Sequence, residues 1–388
     1  MSAALPFAVT PMNQELTKAM YIDVEEYYGE QAIRWAQIAA RNAVIQALEE
    51  GVRTILVVMP TGSGKTITIA CTLDCPEIRA VLKVKSGNKL KVLFLAHIHR
   101  LLTQAEETFA QSNNVELVLV TPFSDISQEL IDSCDVIVID EGHHEAMMSI
   151  QYKLQQTAKK PIIALTATPD RADGQVIKFE RIIEPCSREQ AVKEGWLAET
   201  SIWSFVDTTG KNKLPYIQNI ITTYHDIMGG TIVFVKTRAE AVALERFLLM
   251  KLKLTAVALI NQTKHEINEI LNSFSRGEVQ FLINCSKIGE GIDVKGCVSV
   301  VLGRNIGSYT QLNQYIGRTA RPDSESQVFE LVNPLSRTNL DTTVVTGTPK
   351  AHILCSPRKD GTFKEQHFEY VSSHIQGMAE LKVQTRRR

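Results

Sequence analysis

The chain has 388 residues, of which 44% are hydrophobic, and a formal net charge of −1 at pH 7. This length predicts two or three domains. A net charge near zero neither demands nor excludes nucleic-acid binding, because a basic groove can coexist with an acidic surface elsewhere. No apolar run is long enough to span a bilayer and no secretory leader is visible, so we expect a cytoplasmic protein that binds no membrane.

The seven cysteines are scattered along the chain. None belongs to a C-x-x-C pair, and no histidine lies near one at zinc-finger spacing. The pattern excludes a zinc finger and predicts reduced, mostly buried thiols.

The first 30 residues show no pattern that assigns them a structure. In residues 31–50 the apolar side chains recur at helical spacing, and Gly51 supplies a stop. Gln37 lies in this predicted helix. On chemistry alone it is either a surface glutamine or a group that faces a ligand.

A phosphate-binding loop is predicted at residues 59–66, which read Met-Pro-Thr-Gly-Ser-Gly-Lys-Thr. A β-branched run precedes this loop and a helical pattern follows it, which is the context such a loop needs. Gly62 and Gly64 allow a tight turn whose N–H groups point at one anion. Lys65 would reach the β- and γ-phosphates of ATP, and the Thr66 hydroxyl would hold Mg²⁺. The strict pattern has glycine where Met59 stands, so a merely structural turn is the alternative.

Beyond this loop, apolar β-type runs alternate with helical patterns, and the strands are predicted at residues 92–96, 116–120, 136–139 and 162–165. Alternation of this kind predicts a parallel sheet with helices on both faces. Ligands of such sheets lie at the carboxyl ends of the strands.

Two of these strand ends carry chemically informative residues. Asp140 and Glu141 follow the run 136–139, and two adjacent carboxylates there are costly without a cation. We expect Asp140 to hold Mg²⁺, and Glu141 to orient and deprotonate the attacking water. A capping cluster before the next helix is the alternative. Thr166 and Thr168 follow the run 162–165, where hydroxyls either couple the metal site to a neighbouring surface or form an ordinary turn.

A second α/β pattern begins near residue 200, with strands predicted at 231–235, 280–284, 298–302 and 327–332 and helices at 239–252 and 266–276. It contains no second phosphate loop, so we expect it to complete the site of the first lobe. Arg318 and Arg321 are three residues apart on a predicted helix, and their guanidinium groups suit phosphoryl oxygens; solvated surface arginines are the alternative.

Read together, Pro-Thr-Gly-Ser-Gly-Lys-Thr, Asp-Glu-Gly-His and Thr-Ala-Thr-Pro resemble motifs I, II and III of the superfamily 2 helicases, in their DEAH/DExH branch. The resemblance extends from about residue 34 to 322. Residues 166–174 resemble the DNA-acting members, including RecG-like, phage recombination and restriction-translocase motors, more than the RNA-acting DEAD-box enzymes. Two features depart from the family pattern: glycine at the third position of the DEAH box, and two histidines in the segment that resembles motif Ia.

The resemblance implies two RecA-like domains of P-loop NTPase architecture, with ATP and Mg²⁺ as cofactors. The expected nucleotide-binding residues are Gln37, Thr61, Gly62, Ser63, Gly64, Lys65, Thr66, Gly291 and Asp293. The expected catalytic residues are Glu141, Gln314, Arg318 and Arg321, and the expected metal ligands are Thr66 and Asp140. Coupling is expected at His143, Thr166 and Thr168, and nucleic-acid contacts are expected at Arg100, Gln104, Thr121, Pro122, Lys236, Thr237 and Ser286.

We therefore predict an unassigned segment at 1–30, an ATP-binding domain at 31–199, a helicase C-terminal domain at 200–335 and an extension at 336–388. Asp360-Gly361 in the extension indicates a hairpin, either an edge hairpin of the second lobe or a strand separator. The predicted activity is ATP-dependent movement along DNA with unwinding, in the 3′ to 5′ direction by resemblance. An RNA helicase, a duplex translocase or motor subunit, and an ATP-gated clamp are the alternatives.

Overall fold

Two mainly parallel β-sheets carry the fold, one in each of two units into which the chain divides. The computed structural model describes residues 35–97, 99–110, 112–124, 126–142, 145–167, 179–207, 213–285, 294–307, 309–319, 325–333, 340, 342–347 and 349–368. The first unit takes in the described chain up to Cys186 except Pro60–Ser63, and the second takes in Pro60–Ser63 and the described chain from Ser187 onward.

The described part of the first unit contains six parallel strands in the order β3-β2-β4-β5-β1-β6. The strands are β1 (Thr54–Val58), β2 (Leu90–Leu95), β3 (Val115–Val120), β4 (Val136–Ile139), β5 (Ile162–Thr166) and β6 (Arg181–Ile183). The helices are α1 (Trp35–Glu49), α2 (Lys65–Asp74), α3 (Pro76–Val81), α4 (His99–Phe109), α5 (Gln128–Ser133) and α6 (Glu145–Thr157).

Both faces of this sheet are covered. Ile55 and Val57 of β1 pack into the core formed with α1 to α4, whereas Leu56 and Val58 pack into the core formed with α5 and α6. Alternate side chains of a strand point to opposite faces, so a strand covered on both faces must be apolar throughout. This is why the continuous apolar runs of the sequence identify these strands.

Among the described residues of the second unit, eight strands lie in the order β14-β13-β7-β12-β11-β8-β10-β9, all parallel except the pair β13–β14. The strands are β7 (Thr200–Val206), β8 (Thr231–Phe234), β9 (Ala256–Leu259), β10 (Phe281–Asn284), β11 (Ser299–Leu302), β12 (Ser326–Val332), β13 (Ala351–Pro357) and β14 (Phe363–Phe368). The helices are α7 (Arg188–Lys193), α8 (Leu214–Met228), α9 (Arg238–Phe247), α10 (Lys264–Ser275), α11 (Tyr309–Ile316) and α12 (Thr343–Thr346), and a π-helical turn (Leu248–Leu252) follows α9.

The predicted fold class, two mainly parallel α/β sheets with helices on both faces, is confirmed. The hairpin expected at Asp360-Gly361 is also present, because β13 and β14 pair antiparallel on either side of it. β13 pairs in parallel with β7, so the hairpin extends one edge of the second sheet. It is therefore an edge hairpin, the first of the two arrangements that the sequence left open.

The predicted domain bounds stay a prediction, and α7 lies in the second unit, where Arg188 Nε donates to Thr346 O at 3.0 Å. Two features differ from the sequence-based expectation. The strands β6, β7 and β9 and the helices α7, α8 and α12 were not predicted. α11 ends at Ile316, so Arg318 lies in the turn that follows it and not on a helix.

A buried polar network crosses the second sheet. Ser204 Oγ donates to Glu330 Oε1 at 2.6 Å, and the Thr342 hydroxyl donates to Glu330 Oε2. His352 Nε2 lies 3.0 Å from Ser204 Oγ. All four side chains are buried. Because Ser204 gives its proton to Glu330, the imidazole donates to the serine, and the serine is not activated as a nucleophile.

Replacing Ser204 by Ala should lower the free energy of unfolding of the second unit by about 1–3 kcal/mol, because Glu330 Oε1 loses a buried donor. Denaturant unfolding monitored by far-UV circular dichroism measures this change. Ser201→Ala, at a half-buried serine of the same strand, is the control and should change stability by less than about 0.5 kcal/mol. Equal unfolding midpoints for the two variants would contradict the prediction.

Candidate nucleotide-binding and catalytic site

The carboxyl ends of four parallel strands are joined by backbone hydrogen bonds at one edge of the first sheet. Met59 N, which begins the predicted phosphate loop, donates to Thr166 O at 3.0 Å. Asp140 N donates to Leu95 O at 2.9 Å, and Gly142 N donates to Leu165 O at 3.0 Å. Residues from the ends of β1, β2, β4 and β5 are therefore held in fixed register around the loop.

The loop itself has the backbone that anion binding requires. Gly62 and Gly64 have φ angles of 85° and 87°, in the left-handed region that glycine tolerates. Ser63 closes the turn, because its N–H and its hydroxyl both donate to Pro60 O, at 3.1 and 2.7 Å. Gly64 precedes α2 and offers no side-chain cap to its first N–H groups. These N–H groups form an electropositive helix start, which is a site for phosphate.

The environment of Met59 explains why the phosphate loop does not need the glycine that the strict pattern has at this position. Its side chain is 1% exposed and packs in the core beneath α1 to α4. Because its backbone extends β1 and bonds to Thr166 O, the position does not need the conformational freedom of glycine. The turn is made by Gly62 and Gly64 instead.

Gln37 lies against the phosphate loop. It is buried on α1, and its Nε2 atom is 2.6 Å from the position that a Cβ atom at Gly64 would occupy. Any side chain at residue 64 would therefore collide with the Gln37 amide, in addition to the strain of the positive φ. Of the two interpretations that the sequence left open, the structure places Gln37 at the loop and not on the surface.

Asp140 and Glu141 lie at the end of β4. Asp140 is 4% exposed, and burial together with the adjacent Glu141 carboxylate raises its pKa to about 7, against the opposing charge of Lys65. Lys65 Nζ lies 3.5 Å from Met59 O.

Glu141 is half-buried, has a φ of 49° and donates its N–H to Asp140 Oδ1 at 3.0 Å. A non-glycine residue in this region is strained, and such strain concentrates at functional sites.

Gly142 occupies the third position of the box, where the DEAH pattern has alanine. A Cβ atom there would lie 3.2 Å from Ala164 Cβ and 3.3 Å from Gln151 Oε1. Gln151 is 4% exposed on α6, and no residue in the described part of the chain donates a hydrogen bond to its Oε1 atom. The Gln151 amide therefore fills the space that an alanine methyl group would need. No sequence pattern points to Gln151, because a single glutamine on a helix is ordinary.

Some of the remaining predicted site residues lie in the described part of the chain and others lie outside it. Thr61 and Thr66 are half-buried in the loop and at the start of α2, and Thr166 is fully buried at the end of β5. The structure does not describe His143, Thr168, Ser286, Gly291, Asp293 and Arg321, nor the side chain of Arg100.

Thr121 and Pro122, predicted to contact nucleic acid, are half-buried directly after β3, at the same edge of the sheet. Gln104 is exposed in the middle of α4, the helix that follows β2. In the second unit, Lys236 and Thr237 are exposed directly after β8. Thr237 caps α9, because its hydroxyl accepts from Glu240 N at 3.1 Å. Gln314 and Arg318 are half-buried on α11 and in the turn after it.

The seven cysteines are free thiols, of which five are buried, as predicted. Within the described residues, no cluster of three or more histidine, cysteine or acidic side chains could hold a metal ion. The described helices include none that could cross a membrane.

Two family models match the chain. Residues 30–119 match the model described as the res subunit of type III restriction enzymes, and residues 212–323 match the helicase conserved C-terminal domain. The chain is therefore similar to helicase-type domains in both of its parts. The first match covers the phosphate loop and the second covers β8 to α11, so the two matches fall on the two RecA-like units.

Curated relatives and solved structures agree with these matches. The chain is 24% identical over 352 residues to the ATP-dependent helicase IRC3 of Saccharomyces cerevisiae, covering 77% of this chain and 50% of IRC3. It is 21% identical to the DNA 3′-5′ translocase XPB2 of Sulfurisphaera tokodaii, covering 71% of this chain and 77% of XPB2. It is 23% identical to the ATP-dependent RNA helicase DBP6 of Candida albicans, covering 76% of this chain and 58% of DBP6.

Two solved structures share the helicase fold. A fragment assigned to the HsdR subunit of a type I restriction enzyme from Vibrio vulnificus superposes with a TM-score of 0.62 at 19% identity, covering 85% of this chain and 70% of the fragment. The type ISP restriction-modification enzyme LlaBIII superposes with a TM-score of 0.60 at 15% identity, covering 80% of this chain and 28% of LlaBIII. The chain spans about half of the length of IRC3 and of its Schizosaccharomyces pombe counterpart, 50% and 53%.

Replacing Asp140 by Asn should raise the thermal midpoint of the ligand-free first unit at pH 8 and leave it nearly unchanged at pH 4. A carboxyl group whose pKa is higher in the folded protein destabilises the fold where it is ionised. The penalty begins above the ordinary pKa of 3.8 and is complete above about 7. Differential scanning fluorimetry across this range measures the difference, with Asp132→Asn, at an exposed aspartate of α5, as the control. A gain in stability that is independent of pH would contradict the assignment.

Replacing Gly142 by Ala should destabilise the first unit by about 1–3 kcal/mol through overpacking. Ala164 is fully buried in β5 and has no room to move, so the side chain of Gln151 should have to shift. Gln151→Asn shortens that side chain, and the double variant should therefore be more stable than the sum of the two single changes predicts. Strictly additive free energies of unfolding would contradict the contact.

Proposed function

We propose that this chain is an ATP-dependent helicase or translocase that moves along DNA. The observation that carries the proposal is the position of Asp140 and Glu141 beside the phosphate loop. Backbone hydrogen bonds at the ends of β1, β2, β4 and β5 hold both segments at one edge of the sheet. A phosphate cradle and an acidic pair in this arrangement support hydrolysis of a nucleoside triphosphate.

The residues of the loop fit ATP. The N–H groups from Gly62 to Thr66 would surround the phosphates, and Lys65 would neutralise part of their charge. Gly64 has no side chain, which leaves this backbone accessible to an anion. The Gln37 amide lies against the loop at Gly64. Because Gln37 is therefore close to the proposed nucleotide, we propose that its side chain contacts the adenine.

The same site fits Mg²⁺. Mg²⁺ is usually bound by one or two protein groups together with phosphate oxygens and water, and Thr66 and Asp140 are the groups available here. Bound Mg²⁺ would polarise the phosphoryl group and neutralise its charge. Burial and Glu141 raise the pKa of Asp140. A cation at this site would lower that pKa again and favour the ionised carboxylate.

Glu141 is the proposed general base. Its strained backbone directs residue 141 away from the regular path of β4, and the hydrogen bond to Asp140 Oδ1 fixes the two residues relative to each other. A carboxylate held in this way can orient water and accept its proton.

Gln314, Arg318 and Arg321 remain the proposed catalytic residues of the second unit, with Gly291 and Asp293 as proposed nucleotide contacts. His143, Thr166 and Thr168 remain proposed coupling residues.

DNA is the polymer along which we propose that the chain moves. Residues 166–174 resemble the corresponding segment of DNA-acting family members, and XPB2 is named as a DNA 3′-5′ translocase. We therefore propose 3′ to 5′ movement and membership of the DEAH/DExH branch near its RecG-like and phage recombination members. The proposed backbone contacts are Arg100, Gln104, Thr121, Pro122, Lys236, Thr237 and Ser286. DBP6 is named as an RNA helicase, so RNA is the second candidate polymer.

Steady-state ATP hydrolysis tests the proposal with no polymer, single-stranded DNA, duplex DNA, branched DNA and RNA at one salt concentration. DNA should stimulate turnover, and the stimulation should fall as salt rises because the contacts are mainly to phosphate. Stimulation by RNA alone would replace the DNA proposal with RNA remodelling. Stimulation by duplex without strand separation would identify a translocase, and ATP-dependent binding without turnover would identify a clamp.

Replacing Glu141 by Gln should lower turnover by about 100-fold or more while ATP still binds, because the amide cannot accept the proton of water. Binding of a fluorescent ATP analogue and phosphate release measure the two quantities. Glu116→Gln, at an exposed glutamate of β3, is the control. Near-normal phosphate release by the Glu141 variant would remove this residue from the role of base.

A further inference from the structure

Phe123 is a large apolar side chain that the fold leaves in water. Its side chain is 81% exposed, although burying a phenylalanine typically stabilises a protein by about 1.5–3 kcal/mol. Tyr152, on α6, is the other large hydrophobic residue of comparable exposure in the described part of the first unit, at 66%. Among the described residues of the first unit, Phe123 and Tyr152 are the large hydrophobic side chains in the exposed class.

A closed turn presents the ring. Ser124 N donates to Thr121 O at 3.0 Å, and Thr121 Oγ1 lies 3.0 Å from Ser124 Oγ. Thr121 N also donates to Ser124 Oγ, at 3.3 Å. Pro122 restricts the backbone at the first central position of this turn. Phe123 occupies the second central position, from which its side chain points outward.

The turn lies at the edge of the sheet that carries the proposed ATP site. It follows β3, whose Val120 pairs with Leu95 of β2, and Leu95 pairs with Ile139 of β4, directly before Asp140. Adjacent strands are about 4.8 Å apart, so the end of β3 lies roughly 10 Å from the strand that carries Asp140. An aromatic ring at this distance can contact a polymer that passes the same edge.

The chemistry of the turn favours an unpaired base as the occupant. A stable protein interface buries about 800 Å² on each partner, far more than one ring supplies. A nucleobase matches the ring in size, and every base offers a face for stacking. The hydroxyls of Thr121 and Ser124 flank the ring and can donate to phosphate or sugar oxygens, which accompany each base.

We propose that Phe123 stacks on an unpaired base of a single-stranded nucleic acid, and that Thr121 and Ser124 contact the adjoining backbone. This inference rests on the proposed function and adds a base-stacking position for single strands. Stacking does not read base identity, so the contact should hold single strands of many sequences and should not engage paired bases inside a duplex.

Binding of labelled oligonucleotides in the absence of ATP tests the inference by fluorescence anisotropy. Phe123→Ala should weaken binding of oligothymidylate by roughly 5- to 150-fold, the range expected for one stacked base. Phe123→Trp should bind as tightly as the parent chain or more tightly. Tyr152→Ala, the matched exposed aromatic of the same unit, should change affinity by less than about twofold.

A strand in which every base is replaced by an abasic sugar provides the decisive comparison. It keeps the phosphates and removes the stacking partner, so Phe123→Ala and the parent chain should bind it equally. Equal affinity of the two proteins for oligothymidylate, or an equal loss on the abasic strand, would overturn the inference. A parent chain that binds no single strand and is not stimulated by any nucleic acid would instead overturn the proposed function.

Discussion

The candidate site depends on a small set of backbone hydrogen bonds at the carboxyl edge of the first sheet. Parallel strands place all their carboxyl ends at one edge, but this alone does not fix the loops that leave them. Here Met59, Asp140 and Gly142 each donate an N–H to a neighbouring strand. Main-chain bonds of this kind are nearly independent of side-chain identity, so the loops can carry reactive side chains without losing their positions.

The same edge concentrates the unfavourable features of the first unit. Asp140 is buried beside another carboxylate, Glu141 has a left-handed backbone, and the Gln151 amide oxygen receives no hydrogen bond from the described residues. Each feature costs stability in the ligand-free protein. The two large cores on either face of the sheet offset these costs. A bound cation would offset the cost at Asp140, which arises first from burial and then from the adjacent Glu141 carboxylate.

The sequence predicted most of the fold because buried parallel strands are apolar on both faces. It missed β7, where Thr200, Ser201 and Ser204 interrupt the apolar run, since β7 carries the buried network with Glu330 and His352. It also missed the short strands β6 and β9. The loop and the acidic pair could be predicted because their chemistry is local in the sequence. The Gly142–Gln151 contact could not, because it joins a loop to a helix through a fit of shapes that no spacing encodes.

The pairing of β1 also determines when the site can form during synthesis. β1 pairs only with β5 and β6, and Thr54 lies opposite Ile162. The strand that precedes the phosphate loop therefore remains without partners until more than a hundred further residues have left the ribosome. The second sheet has the same property, because β7 pairs with β12 and β13 near the far end of the chain. Each nascent lobe therefore contains a strand without its sheet partners for most of its translation, and a chain that ended before those partners would lack a complete sheet in that lobe.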